Sequence, residues 1–345
     1  MIKPKKLSPG DKVATVSLSW GGPSVFPHRY QVGIQQLKDE FDLQFVEMPN
    51  TLRDADWLAN NPKARADDFM QAFADPSIKG VFATIGGEDS IRLLPFIDLN
   101  VIRNNPKIFM GYSDTTISHL VCYKVGLVSF FGPSVMAEFA ENGGMFPYMV
   151  QWLRQTIFSS DVIGEVKPST EGWTVEILNW GDPANQGRKR KLNPSTEWKF
   201  LQGKGIHRGH LVGGCMEVLD WARGTEIFPA SWQDAILFLE TSEEAPLPEM
   251  VARTLRVFAA MGILRQLAGI LFGRPGGEIP LDKFEQYDRA ILQVVQHEEG
   301  LTELPVITNM DFGHTSPMFV LPYGVQAEID FENRRFSIVE NAVTD

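Results

Sequence analysis

Ile108-Phe109-Met110-Gly111-Tyr112-Ser113-Asp114-Thr115-Thr116-Ile117-Ser118-His119-Leu120-Val121 is the stretch on which the reading of this chain turns. The apolar run at its start has the character of a buried strand, Gly111 opens a turn, and a helical run follows from Asp114. A serine at such a strand-to-helix turn is exposed at the C-terminal edge of a parallel sheet. The helix beneath it offers unpaired N–H groups and positive potential where an oxyanion would form. Strained turns of this kind hold a nucleophile out of the packing. By itself the stretch also permits Ser113 or Asp114 to serve only as an N-cap.

The segments around it repeat the same alternation. Strand patterns over 12–19, 43–48, 80–85, 107–111 and 128–131 are separated by helical patterns over 27–40, 62–74, 90–97 and 114–125, with a further helix near 146–158. Such an order implies right-handed crossovers and a doubly wound parallel sheet, an α/β fold whose sites lie at the carboxyl ends of its strands. Over 159–205 the pattern breaks, and Pro, Gly, Asn and charge surround Trp173, Trp180 and Trp198. So many tryptophans suit a connection with partial strand character better than a flexible linker. Alternation resumes with strands over 235–239, 268–272 and 306–309, helices over 247–261 and 284–298, and a closing hairpin over 325–339. The expected organisation is an N-terminal α/β domain over 1–158, a Trp-bearing connection over 159–205 and a C-terminal domain over 206–345.

Composition excludes several function classes. A chain of 345 residues exceeds what one core usually serves, which favours two domains. A net charge of -11 disfavours nucleic acid and anionic membranes as partners. No apolar stretch approaches the roughly 20 residues of a membrane span. Lys3, Lys5 and Lys6 lead into Leu-Ser-Pro-Gly-Asp rather than an apolar core, so no secretory signal is read and a cytoplasmic protein is expected. Cys122 and Cys215 stand alone in apolar contexts, which predicts buried thiols, no disulfide and no metal site.

Three further stretches carry chemistry. Ala83-Thr84-Ile85-Gly86-Gly87-Glu88-Asp89 is a second strand end whose glycines can present bare N–H groups to an anion, or can simply turn the chain. It lacks the third glycine of a dinucleotide fingerprint, and no Gly-Lys-Ser/Thr phosphate loop occurs, so no cofactor is expected. Glu240 ends the apolar run Ala235-Ile236-Leu237-Phe238-Leu239, where a desolvated charge needs a partner. It also fits the start of a turn with Glu243 and Glu244. His314, in Asp311-Phe312-Gly313-His314-Thr315-Ser316-Pro317, is the one histidine in a Gly- and Pro-framed loop after a buried strand. His28 and His297 sit in polar helical contexts, His207 and His210 in a turn-rich segment, and His119 lies six residues along the helix from Ser113, pointing elsewhere. Ser113, Glu240 and His314 thus stand in Ser-Glu-His order at strand ends, a set in which His takes the Ser proton and Glu orients the imidazole. The Gly-x-Ser-x-Gly elbow is not met, because Thr115 replaces its second glycine; this counts against the α/β-hydrolase fold and not against the chemistry.

Gly86-Gly87-Glu88-Asp89-Ser90-Ile91-Arg92-Leu93-Leu94-Pro95 resembles a signature of the LD-carboxypeptidase and microcin C immunity family of serine peptidases. Gly111-Tyr112-Ser113-Asp114, Leu211-Val212-Gly213-Gly214-Cys215, Ile236-Leu237-Phe238-Leu239-Glu240 and Gly313-His314-Thr315 resemble it too, in the right order across nearly the whole chain. The resemblance implies Ser113 as nucleophile, Glu240 as orienting acid and His314 as general base. It implies an oxyanion hole of backbone N–H groups from Asp114 and the Gly86-Gly87 turn; the sequence itself holds no ligand cluster for zinc, so no metal is expected. The resemblance also implies a parallel-sheet N-terminal domain, a C-terminal mixed α/β domain with β-barrel-like character, a site between them, and a homodimer.

Two branches of that family differ in substrate. One trims terminal D-alanine from murein tetrapeptides, and the other cuts the amide joining an aminoacyl group to a nucleotide-like moiety. The segment over 171–203 resembles the longer, Trp-bearing connection of the immunity branch, which favours a small peptidyl or aminoacyl-nucleotide substrate. Trp198 and Trp180 are the candidates to stack a base, with interdomain packing as the alternative, and Glu88 is a further candidate substrate contact. Arg188-Lys189-Arg190-Lys191 suits a solvated loop better than a phosphate site. A binding protein that keeps the cleft without catalysis is the reading from another class.

Overall fold

The computed structural model describes residues 1–345. Its strands begin with Lys12–Val16 (β1), Gln44–Glu47 (β2), Ile78–Ala83 (β3), Ile108–Gly111 (β4) and Phe130–Phe131 (β5). Gly164–Val166 (β6), Lys199–Gln202 (β7), Ile206–Cys215 (β8), Ala235–Glu240 (β9), Gly269–Gly273 (β10) and Val306–Met310 (β11) follow. Leu321–Pro322 (β12), Gln326–Asp330 (β13) and Arg335–Ile338 (β14) come last.

The first sheet has the order β12-β5-β4-β3-β1-β2 and is parallel except for β12, which runs antiparallel to β5. The winding reverses at β1 and β3, which are neighbours although β2 lies between them in sequence. A crevice opens beyond the carboxyl ends of strands at such a reversal. Helices Pro27–Phe41, Pro62–Ala74 and Pro147–Ile157 each begin on a proline, whose missing N–H is an orphan there in any case and whose φ suits the first turn.

The second sheet has the order β6-β14-β13-β8-β9-β10-β11-β7. Its centre, β8 to β11, is parallel, and the flanking strands are antiparallel. Both edge strands, β6 and β7, come from the segment between residues 159 and 205, so that segment is sewn into the sheet at either side. The two sheets share one core: Phe131 of β5 packs on Phe238 of β9 at 5.4 Å, and Tyr323, just past β12, packs on Phe238 at 5.1 Å. The fold is therefore the expected α/β one, parallel-rich in the first half and mixed in the second.

Local details depart from the pattern. Ser90–Phe96 forms a 3-10 helix with Pro95 inside it, and Pro95, having no N–H, adds no hydrogen bond to it. The helix beginning at Phe284 widens into π turns over Gln293–Glu298. The long strand β8 is hidden in sequence by Gly209, Gly213 and Gly214, which weaken any strand signal. Packing requires a glycine there: a Cβ on Gly213 would stand 1.7 Å from the carbonyl oxygen of Phe238.

Candidate active site

Ser113 follows β4 by a single residue and opens a 3-10 turn, Ser113–Thr115, that leads into helix Thr116–Lys124. Its φ is +62°, a left-handed conformation that is unfavourable for a residue with a Cβ. The turn is braced by Thr115 Oγ1 donating to Tyr112 O at 2.8 Å and Thr116 Oγ1 donating to Ser113 O at 2.7 Å. This is the strained strand-to-helix turn that the sequence suggests.

The glycine turn after β3 lies directly against it. A Cβ on Gly86 would stand 2.9 Å from both Cβ and Oγ of Ser113, so only glycine lets the two turns meet. Ser90 N–H donates to Asp114 Oδ2 at 2.8 Å, and Ser90 Oγ donates to Asp114 O at 2.8 Å, which holds the turns together. Burial of Asp114 pushes its carboxyl pKa up. The backbone N–H groups of Gly86, Gly87 and Asp114 are engaged by no acceptor of the protein.

Glu240 is the last residue of β9 and is fully buried. His314 lies in the loop after β11. Its Nδ1 is 2.6 Å from Glu240 Oε2, its backbone N–H donates to the same oxygen at 3.2 Å, and its Nε2 is 3.1 Å from Ser113 Oγ. The loop reaches the carboxylate only because residue 313 is glycine: φ is +90°, and a Cβ would stand 2.5 Å from Glu240 Cβ. The Tyr112 ring packs edge-on against the imidazole at 4.9 Å, and its hydroxyl donates to Glu138 Oε1 at 2.9 Å. Burial alone would lower the His314 pKa, but the charges of Glu240 and Glu243 outweigh it and hold it well above the ordinary value. An imidazole placed between a carboxylate and a hydroxyl is the arrangement that accepts a hydroxyl proton and stabilises the resulting imidazolium.

Ser113, His314, Tyr112, Glu138 and the Gly86-Gly87 turn line a cleft of about 830 Å³, with Glu240 buried behind His314. Trp20, Phe26 and Trp180 form an aromatic wall in it, each edge-to-face with the next at 6.0 Å. The Arg29 guanidinium lies 4.7 Å from the centre of the Trp180 ring. Arg29 is itself buried and donates to Met136 O at 2.8 Å and Ala137 O at 3.1 Å, so its orientation is fixed.

The structure therefore brings Ser113, Glu240 and His314 together, with the Gly86-Gly87 turn beside them, and puts Trp180 and the exposed Glu88 in the same cleft. Trp198 is elsewhere, which corrects its expected role. It is 4% exposed, packs on Phe319 at 5.7 Å and donates from Nε1 to Asp311 Oδ2 at 2.7 Å. The cause is local: β7 begins at the next residue and carries the ring into the core of the second sheet. Trp173 is likewise buried, beside Phe284 and Arg274. The basic run also divides, since Arg188, Lys189 and Lys191 are exposed while Arg190 pairs with buried Glu141 and lines the cleft. No local sequence pattern marks Trp20, Arg29 or Glu138 as part of the cleft, and Tyr112 is marked only by its place next to the serine. No helix is long and apolar enough to cross a membrane.

Residues 13–132 match a family model described as the LD-carboxypeptidase N-terminal domain, and residues 208–329 match that of the LD-carboxypeptidase C-terminal domain. The chain belongs to the LD-carboxypeptidase family. It is a serine peptidase of that family. The Escherichia coli Microcin C7 self-immunity protein MccF is 28% identical to it over 97% of this chain and 94% of its own length. A Bacillus subtilis (strain 168) relative, named "Probable murein peptide carboxypeptidase", is 26% identical over 99% of this chain and 96% of its own. The solved structure of an MccF-like protein from Streptococcus pneumoniae in complex with AMP is similar at a TM-score of 0.85 and 31% identity, over 95% of this chain and 98% of that one. MccF in complex with aspartyl sulfamoyl adenosine is similar at a TM-score of 0.81 and 26% identity over the full length of both chains.

Proposed function

We propose that this LD-carboxypeptidase family member is an amidase of the immunity type, which cuts the bond between an aminoacyl or small peptidyl group and a nucleotide-like moiety. The observation that carries this reading is the Trp180 ring, which stands in the same cleft as Ser113 and His314 and is backed by the fixed cation of Arg29. A ring held in this way offers a flat apolar face to a base. The AMP bound by the pneumococcal structure and the aspartyl sulfamoyl adenosine bound by MccF support a nucleotide-bearing ligand here.

In the proposed reaction Ser113 Oγ attacks the scissile carbonyl carbon as His314 Nε2 takes its proton. Glu240, held to Nδ1, stabilises the imidazolium that forms. The negative oxygen of the tetrahedral intermediate accepts hydrogen bonds from the free N–H groups of Gly86, Gly87 and Asp114. His314 then passes its proton to the leaving nitrogen, and the acyl group remains on Ser113 as an ester. Water, activated by the same imidazole, attacks that ester and releases the acid. The left-handed Ser113 keeps Oγ at the cleft surface through both steps.

The test is turnover of an aminoacyl sulfamoyl adenosine beside a murein tetrapeptide, with the protein and with Ser113→Ala. Expected is faster cleavage of the nucleotide substrate and a fall in kcat on the order of 10⁴ or more in the variant. Near-normal turnover by Ser113→Ala would refute the mechanism. Preference for the tetrapeptide would replace the substrate with the murein one.

A further inference from the structure

Glu243 Oε2 lies 3.0 Å from His314 Nε2, the nitrogen that also faces Ser113 Oγ. The opposite nitrogen is committed to Glu240, so Nε2 has two possible states. Bare, it accepts from the serine hydroxyl; protonated, it donates to a carboxylate. An ionised carboxylate and a bare ring nitrogen are both acceptors and do not pair. With Glu243 in this position the imidazole carries both protons, and a histidine in that state cannot take one from Ser113.

Both charged groups facing the ring favour this state. Glu240 approaches from β9 and Glu243 from the loop after it, while Tyr112, at the end of β4, is a neutral phenol whose pKa burial raises well above its ordinary value. The hydrogen bond to His314 pulls Glu243 down to about 2. No lysine or arginine pairs with Glu243. The root of its loop is fixed: Ser242 N–H and Oγ donate to Glu217 Oε1 at 3.0 and 2.6 Å, and Gly276 N–H donates to Thr241 Oγ1 at 3.0 Å. The Glu243 side chain is nevertheless 60% exposed and lines the cleft, so it is free to exchange partners.

We propose that Glu243 determines specificity for the acyl half of the substrate, by holding His314 in an inactive pair and releasing it to an ammonium group on that acyl half. This rests on the amidase reading above. The substrates it selects carry a free amine close to the scissile carbonyl, as an unblocked aminoacyl group does; this narrows the reading above to aminoacyl substrates, because the corresponding nitrogen of a peptidyl group is an uncharged amide. As the ammonium arrives it replaces the imidazolium as the partner of Glu243. The Nε2 proton leaves to water, one cation has been exchanged for another at the carboxylate, and the bare Nε2 turns to Ser113. A des-amino acyl group leaves the resting pair intact.

The test compares an aminoacyl sulfamoyl adenosine with its des-amino counterpart, which has the same leaving group. The protein should prefer the amine by roughly 10- to 100-fold in kcat/KM, the range of one charge-assisted hydrogen bond. In Glu243→Gln that preference should shrink to within about threefold, with the des-amino rate rising and the acid limb of the kcat/KM profile moving to lower pH. A loop that serves only structure predicts that both substrates fall together with the limb unmoved, and that result overturns the proposal. Nitrogen-15 spectra of His314 give a readout independent of turnover. Nε2 should be protonated at pH 7.5 in the protein alone and bare in Glu243→Gln. A bare Nε2 in the unsubstituted protein sinks this proposal alone, whereas failure to cleave either substrate sinks the amidase reading.

Discussion

Replacing Trp198 with phenylalanine tests whether the connection serves the cleft or the core. Phenylalanine keeps an apolar ring against Phe319 and Phe336 and removes only the indole N–H. That N–H is bonded to Asp311 Oδ2, whose other donor is Ser169 N–H at 3.1 Å, while Oδ1 pairs with buried Arg274. A hydrogen bond to a buried charge contributes about 1.5–3 kcal/mol, and the unfolding free energy should fall by that amount. Alanine would add a cavity cost of about 3–5 kcal/mol, and the total approaches the whole stability of an ordinary protein. Phenylalanine is therefore the informative variant. Urea denaturation should show the loss, while kcat/KM on an aminoacyl sulfamoyl adenosine stays within about threefold, because the ring does not line the cleft. Trp180→Ala should do the reverse. It should leave unfolding within about 1 kcal/mol and weaken nucleotide binding by about 1–3 kcal/mol, or roughly 5- to 150-fold. If Trp198→Phe raises KM and leaves the urea midpoint unmoved, the assignment of this tryptophan to the core is wrong.

Gly86→Ala places a methyl group 2.9 Å from Ser113 Oγ, so the serine turn must shift. We expect kcat to fall on the order of 10²-fold, with about 1–3 kcal/mol lost from stability, and unchanged single-turnover rates would contradict this. His119 should make the fold acid-sensitive. Burial, opposed only by its bond to Gly111 O, lowers its pKa from 6.5 to about 3. The unfolded chain then binds a proton that the folded one refuses, and stability falls as pH drops from about 6.5 toward 3, by up to ~1.4 kcal/mol per pH unit. His119→Gln should flatten that slope in denaturation series at pH 7, 6 and 5, and an unchanged slope would remove His119 as its cause.

Most of the elements, though not β8, and the chemistry they carry were legible locally. Strand and helix periods are local, and so is the turn at Gly111 that exposes Ser113, which is why the α/β alternation and the serine were legible. Glu240 and His314 were legible for a similar reason, as a charge at the tip of an apolar run and a histidine in a Gly- and Pro-framed loop. Their meeting is not written in any local pattern and followed only from the family resemblance, since they stand 74 residues apart and His314 stands 201 from Ser113. Only the pairing of β9 with β10 and β10 with β11, and the packing of the second sheet on the first, sets those distances. Trp180 and Trp198 sit in similar polar, irregular sequence. One became a cleft wall and the other a core residue because Asp311 and the edge of the second sheet wait beside Trp198 and Arg29 beside Trp180. Glu243 reads as one acid of a surface turn until the fold brings His314 to it. Local preferences are written residue by residue, whereas burial and partnership depend on which distant surfaces exclude water together.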